Sequence, residues 1–193
     1  MGQLLPWSTV LAQAEVAGTQ LASFTTAASI LPPTALWSAP PNWFAVGKQI
    51  MVLASGSVGN VVTAAPTFTL EFRLGPSANI AVWSGGAMQC STTAHTTVPW
   101  FLELRLTCRA TGITTSANLM GQANMLSRAF QIGTAAADNA TALCPLILPG
   151  TTPAVGTGFD STVTNIADLR AACSVSNASN TFKLEQYSLV AIN

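Results

Sequence analysis

Charge is what this sequence has least of. Lysine plus arginine come to seven and aspartate plus glutamate to seven, so 7% of the 193 residues are charged and the formal balance is zero. An ordinary soluble domain carries roughly 25%. With no basic excess there is no face to hold a phosphate backbone, and nucleic acid is excluded as a partner. Histidine occurs once, as His95 in the polar run STTAHTTV, and no serine lies in a G-x-S-x-G setting. His95 is therefore read as a loop residue making a hydrogen bond and not as the base of a hydrolytic triad. The seven carboxylates (Glu15, Glu71, Glu103, Asp138, Asp160, Asp168 and Glu185) are scattered. A glycosidase pair would require two of them to meet from distant strands.

Other absences narrow the field further. The four cysteines, Cys90, Cys108, Cys144 and Cys173, form no C-x-x-C pair and no metal-ligand spacing; they are read as buried free thiols. No cofactor or metal is expected. The charge-free stretches 16–47, 74–102 and 139–159 are interrupted by Pro, Gly, Ser, Thr and Asn, so none approaches the roughly 18 apolar residues of a spanning helix, and no membrane partner is expected. No base precedes Lys48, which removes the positive start of a secretory signal, and Pro6 spoils a myristoylation pattern.

What remains is alternation. In PTFTLEFRLG, Phe68, Leu70, Phe72 and Leu74 share one face of a strand while Thr67, Thr69, Glu71 and Arg73 share the other. WFLELRLTCR repeats the scheme, with Leu102, Leu104, Leu106 and Cys108 inward and Glu103, Arg105, Thr107 and Arg109 outward. If the two strands are antiparallel neighbours, Glu71 lies near Arg105 and Arg73 near Glu103, as reciprocal cross-strand pairs of about 0.2–1 kcal/mol each. Such pairs would fix register more than stability.

Further strands are expected at Lys48–Ala54, ended by a turn at SGSVGN, and at Asn79–Trp83, ended by Gly85 and Gly86. Residues 117–132 read as a strand pair or one long strand, and Leu169 to Val175 alternate before SNASN. In TFKLEQYSLVAI the apolar phase moves from Phe182 and Leu184 to Tyr187 and Leu189, which places a bulge near Gln186. Residues 9–30 are compatible with helix or strand. The expected fold is all-β: an antiparallel sandwich of jelly-roll type in residues 39–193, preceded by an N-terminal extension (1–38) with one or two strands.

Residues 31–47, with four prolines and two tryptophans, read as a stiff connection. GTGFD at 156–160 lacks the lysine of a P-loop and reads as a turn. Asn139-Ala-Thr and Asn177-Ala-Ser match the glycosylation pattern, which is disregarded for want of an export signal. Trp37, Trp43, Trp83 and Trp100 would make either a sugar-stacking platform or core and interface packing; packing is the preferred reading. A neutral surface this poor in charge self-associates unless covered, so an oligomer or lattice is expected.

Taken together, WFAVGKQIMVLASG, PTFTLEFRLG, WFLELRLTCRATG and SNASNTFKLEQYSLVAIN resemble the jelly-roll virion proteins of tailed bacteriophages, over roughly residues 40–193. The resemblance implies a non-enzymatic capsid decoration or cement protein. Such a protein is made in the bacterial cytoplasm, assembles as a homo-oligomer with a trimer favoured, and sits on the outer capsid surface against the major capsid protein. The alternative is a tail-tip or fibre-associated module that binds a receptor or carbohydrate. The resemblance brings no catalytic residue with it. The contact residues expected are Leu4, Leu5, Pro6, Trp7, Trp37 and Trp43.

Overall fold

The computed structural model describes residues 8–61, 66–131 and 144–192. Two antiparallel sheets pack face to face as a β-sandwich. In chain order the strands are β1 (Ser8–Gln13), β2 (Leu21–Ala22), β3 (Ala28–Ser29), β4 (Trp37–Ala39), β5 (Gln49–Asn60), β6 (Thr67–Leu74), β7 (Ile80–Ser84), β8 (Met88–Gln89), β9 (His95–Ala110), β10 (Asn118–Ser127), β11 (Cys144–Leu148), β12 (Asn165–Cys173) and β13 (Thr181–Ile192). The larger sheet runs β1-β13-β5-β9-β10-β11, with β2 beside β13. The smaller runs β3-β12-β6-β7, with β4 beside β12 and β8 beside β6. The only helical element among the described residues is a 3-10 turn at Pro33–Ala35.

Period-two patterning builds both inner faces. Phe68, Leu70, Phe72 and Leu74 of β6 are fully buried, and Leu102, Leu104 and Leu106 of β9 meet them from the other sheet in one continuous core. Rings join the layers: Phe182 stacks on Trp100 with centroids 4.8 Å apart and lies 5.6 Å from Phe68, geometries that add to simple area burial. The indole N–H of Trp100 donates to the Ser57 and Lys183 carbonyls, so the core's one large polar atom on that ring is satisfied.

The two strands that carry the Glu-x-Arg pattern are not neighbours. β6 belongs to the smaller sheet and β9 to the larger, so their wet faces look out from opposite sides of the sandwich. The expected Glu71–Arg105 and Arg73–Glu103 pairs do not form. Each charge pairs within its own strand instead: Arg73 with Glu71 at 2.6 Å and Arg105 with Glu103 at 2.8 Å. The physical reason is the same period of two, which sets residues i and i+2 side by side on one face.

A second correction concerns SGSVGN. The segment is not a turn; β5 continues through it to Asn60. A Cβ on Gly56 would lie 1.9 Å from the Lys183 carbonyl oxygen and 2.9 Å from the Trp100 ring. The glycine is there to let β13 and the indole approach. GTGFD is likewise no turn: Phe159 bridges Ala117 and is buried in the core, and a Cβ on Gly156 would fall 1.7 Å from the Val82 carbonyl oxygen. His95 begins β9 opposite Asn60 and is 7% exposed, so it is not a loop residue. Residues 118–127 make one strand.

The bulge in β13 is present, with the register against β5 stepping between Leu184 and Gln186. Residues 8–39, the bulk of the segment read as an extension, hold β1 to β4. These lie along the sandwich edges, on β13 and β12. Ile30, Leu31, Ala35, Ala39 and Phe44 anchor the proline-rich stretch in the core.

Candidate functional site

The outward face of the larger sheet is built row by row from the strand registers. One row runs Val10, Val190, Met51, Arg105, Gln122; the next Ser188, Leu53, Glu103, Asn124, Ile147; a third Gln186, Ser55, Phe101, Leu126, Pro145. Directly opposed residues of antiparallel strands point the same way, so these rows form one surface. Its charges are the pair Glu103–Arg105 at the centre, the pair Lys183–Glu185 on β13, and Arg109 towards the end of β9. Around the central pair Val10, Phe101 and Ile147 stand 56%, 39% and 61% exposed. A shallow groove of about 380 Å³ crosses β9 and β10 between Arg105, Met120, Asn124, Ile147 and Pro153.

The opposite face of the sandwich is electrically different. Along β6 and β12, Glu71 stands opposite Arg170 and Arg73 opposite Asp168, while Arg170 also bonds Asp168 at 2.7 Å. The Ser29 hydroxyl donates to Asp168 from β3 at 2.6 Å. The two within-strand pairs thus stand side by side with opposite charges facing in register, and their most buried member, Asp168, is held from β3 as well. Both carboxylates, Glu71 and Asp168, are held by arginines. The second pair was legible as a third acid-x-Arg triplet, Asp168-Leu-Arg170; a reversed triplet, Lys183-Leu-Glu185, lies on β13 of the larger sheet and pairs at 2.8 Å.

Of the expected contact residues, Leu4, Leu5, Pro6 and Trp7 lie outside the described residues. Trp37 and Trp43 are half-buried and pack edge to face at 4.6 Å. Lys48 sits over the Trp43 ring at 3.7 Å and donates to the Trp43 carbonyl. Partial burial, set against attraction from Cys108, lowers the Lys48 pKa. Trp83 and Trp100 are core residues. Among the described residues, the two partly exposed tryptophans are thus engaged with each other and the other two lie in the core.

Asp160 accepts bonds from the Thr162 hydroxyl and from the Thr162 and Thr114 amides, and the hydroxyl bond leads in holding its carboxyl below the usual range. Cys90, Cys108 and Cys173 are free, buried thiols whose pKa values burial raises. No group of three His, Cys, Asp or Glu able to hold a metal ion occurs among the described residues, and no helix among them is long and apolar enough to cross a membrane. The surface residues not singled out from the sequence are Met51, Leu53, Phe101, Leu126 and Ile147. Phe101 and Leu126 carried a signal, being apolar in the outward phase of their strands. Comparison with protein-family models, with curated proteins and with solved structures finds no match for the chain.

Proposed function

We propose that this chain is a non-enzymatic structural component of a bacteriophage particle, a capsid decoration or cement protein of the jelly-roll kind. The observation that carries the reading is the outward face of the larger sheet, broad, with Val10, Met51, Leu53, Phe101, Leu126 and Ile147 set among neutral polar residues and with most of its charge tied up in the pairs Glu103–Arg105 and Lys183–Glu185. Such a face packs against another protein surface with little desolvation of ions. The preferred occupant is a further copy of the same chain in a homotrimer, which then seats on the major capsid protein at the particle's outer surface. Repetition over a lattice converts shallow contacts into firm attachment.

The strand order supports the jelly-roll assignment in one respect. β13, the last long strand, lies beside β5, the first, as when a Greek key returns its final strand to its beginning. Copy number per particle tests the proposal. A decoration protein is present in hundreds of copies, and stripping it lowers the particle's resistance to heat while host attachment persists. A handful of copies at the tail would refute the decoration role and favour the receptor-binding alternative.

A further inference from the structure

Most of the described charges are answered within the chain. Four ion pairs hold Glu71, Arg73, Glu103, Arg105 and the two pairs of β12 and β13. Lys48 turns to the Trp43 ring, and Asp160 to Thr114 and Thr162. Two exposed charges of opposite sign are left over. Glu15 makes no ion pair among the described residues, and Arg109 meets the Met120 sulfur at 3.5 Å but no carboxylate among them.

Each stands in a setting that suits the other. Glu15 and Val16 form the bend at which the chain leaves β1, the first strand of the larger sheet, and Val16 is 60% exposed. They make a knob with one negative charge and one apolar side chain. Arg109 stands at an end of the groove that crosses β9 and β10, beside Met120, Ile147 and Pro153. Glu103 and Arg105 in that groove neutralise each other, so it presents one positive charge next to hydrocarbon.

The two cannot meet within one chain. β13 and β5 lie between β1 and β9, three strand spacings or about 14 Å across the sheet. The Ala14 amide donates to the Tyr187 carbonyl, and the Tyr187 row runs through Ala54 to Leu102. From Leu102 to Arg109 is about 23 Å further along the strand. A second copy brings them together. We propose, resting on the homo-oligomeric reading above, that the contact between copies joins unlike patches: the Glu15–Val16 knob of one copy seats in the β9–β10 groove of the next. There the Glu15 carboxylate pairs with Arg109, and Val16 packs on Met120 and Ile147. Every copy offers one knob and one groove, so repeating the contact about a three-fold axis closes the homotrimer. The charges fix the register of the contact more than its strength.

The test is sedimentation velocity of the full chain over a concentration series, with Glu15→Arg, Arg109→Glu and the double swap. Both positions are exposed, so all three variants keep the parent melting midpoint. Each single reversal sets like charges face to face and raises the concentration of half-assembly at least about tenfold. The double swap returns it to within about threefold of the parent value. A parent oligomer that neither reversal weakens, or a double swap no better than the single variants, overturns this contact and leaves the homo-oligomeric reading standing. A parent chain that is monomeric at every concentration overturns that reading and this contact with it.

Discussion

Gly56 shows how much a single hydrogen atom in place of a methyl group decides. With the Lys183 carbonyl 1.9 Å and the Trp100 ring 2.9 Å from where a Cβ would stand, Gly56→Ala must push β13 from β5 or tilt the indole out of its stack on Phe182. A loss of roughly 2–4 kcal/mol is expected from such overpacking, read as a lower denaturant midpoint with the slope unchanged. The buried acids of high pKa set the response to alkali. Burial, and secondarily Cys173, pushes the Cys90 thiol far above its ordinary value; burial, and secondarily Asp168, does the same to the Tyr187 phenol. A group whose pKa is raised by folding keeps its proton in the native state while the unfolded chain releases it. Its contribution is therefore full below the unfolded pKa and is lost as pH rises. Stability falls from about pH 8.5 at about 1.4 kcal/mol per pH unit for Cys90 alone, and Tyr187 steepens the fall above about pH 10. Chemical denaturation at stepped pH under reducing conditions measures both; Cys90→Val flattens the first part of the slope.

At the scale of the strand, face was legible in the sequence and neighbour was not. Alternation marked β6 and β9 almost residue by residue, because a half-buried strand must alternate. Yet a period of two says nothing about which strand lies alongside, and β6 and β9 are on different sheets. Glycine misled for a related reason: the same residue serves a turn and a close approach, and SGSVGN and GTGFD both use it for the second. The groove over β9 and β10 was invisible because Arg109, Met120, Ile147 and Pro153 meet only after folding.

β13 offers a sharper test of register. Glu185 is the extra residue of its bulge: Leu184 faces Gly56 and Gln186 faces Ser55. Deleting Glu185 leaves Leu184, Tyr187 and Leu189 in regular inward alternation, so the variant folds cooperatively and loses no more than about 2 kcal/mol, the bulge's local twist and an exposed ion pair. Deleting Ser188 turns Leu189 and Ala191 outward and abolishes folding. Circular dichroism melts distinguish the two. The ion pairs differ in the same graded way. Asp168→Ala leaves Arg170 unpaired beside a nearly buried site and costs about 2–4 kcal/mol, whereas Glu103→Ala, at the exposed pair, costs under about 1 kcal/mol.

For the whole molecule the decisive property is that its two broad faces are unlike. One sets the pairs Glu71–Arg73 and Asp168–Arg170 on adjacent strands; the other spaces its two pairs apart and sets exposed Val10, Phe101 and Ile147 among them. Substituting Phe101→Glu and Ile147→Lys on the second face, both at exposed positions, leaves the melting midpoint within a few degrees and, on the proposed homo-oligomeric reading, yields monomer in sedimentation velocity where the parent chain sediments as an oligomer. Substituting Thr69→Glu on the first face leaves assembly intact. An assembled state that survives the double change excludes this face as its contact.

The strands that bear ion pairs also hold them internally, acid and base two residues apart along a single backbone. β6, β9, β12 and β13 each carry one such pair, and β9 carries Arg109 in addition. A one-residue slip of any of these strands would therefore carry acid and base together into the core.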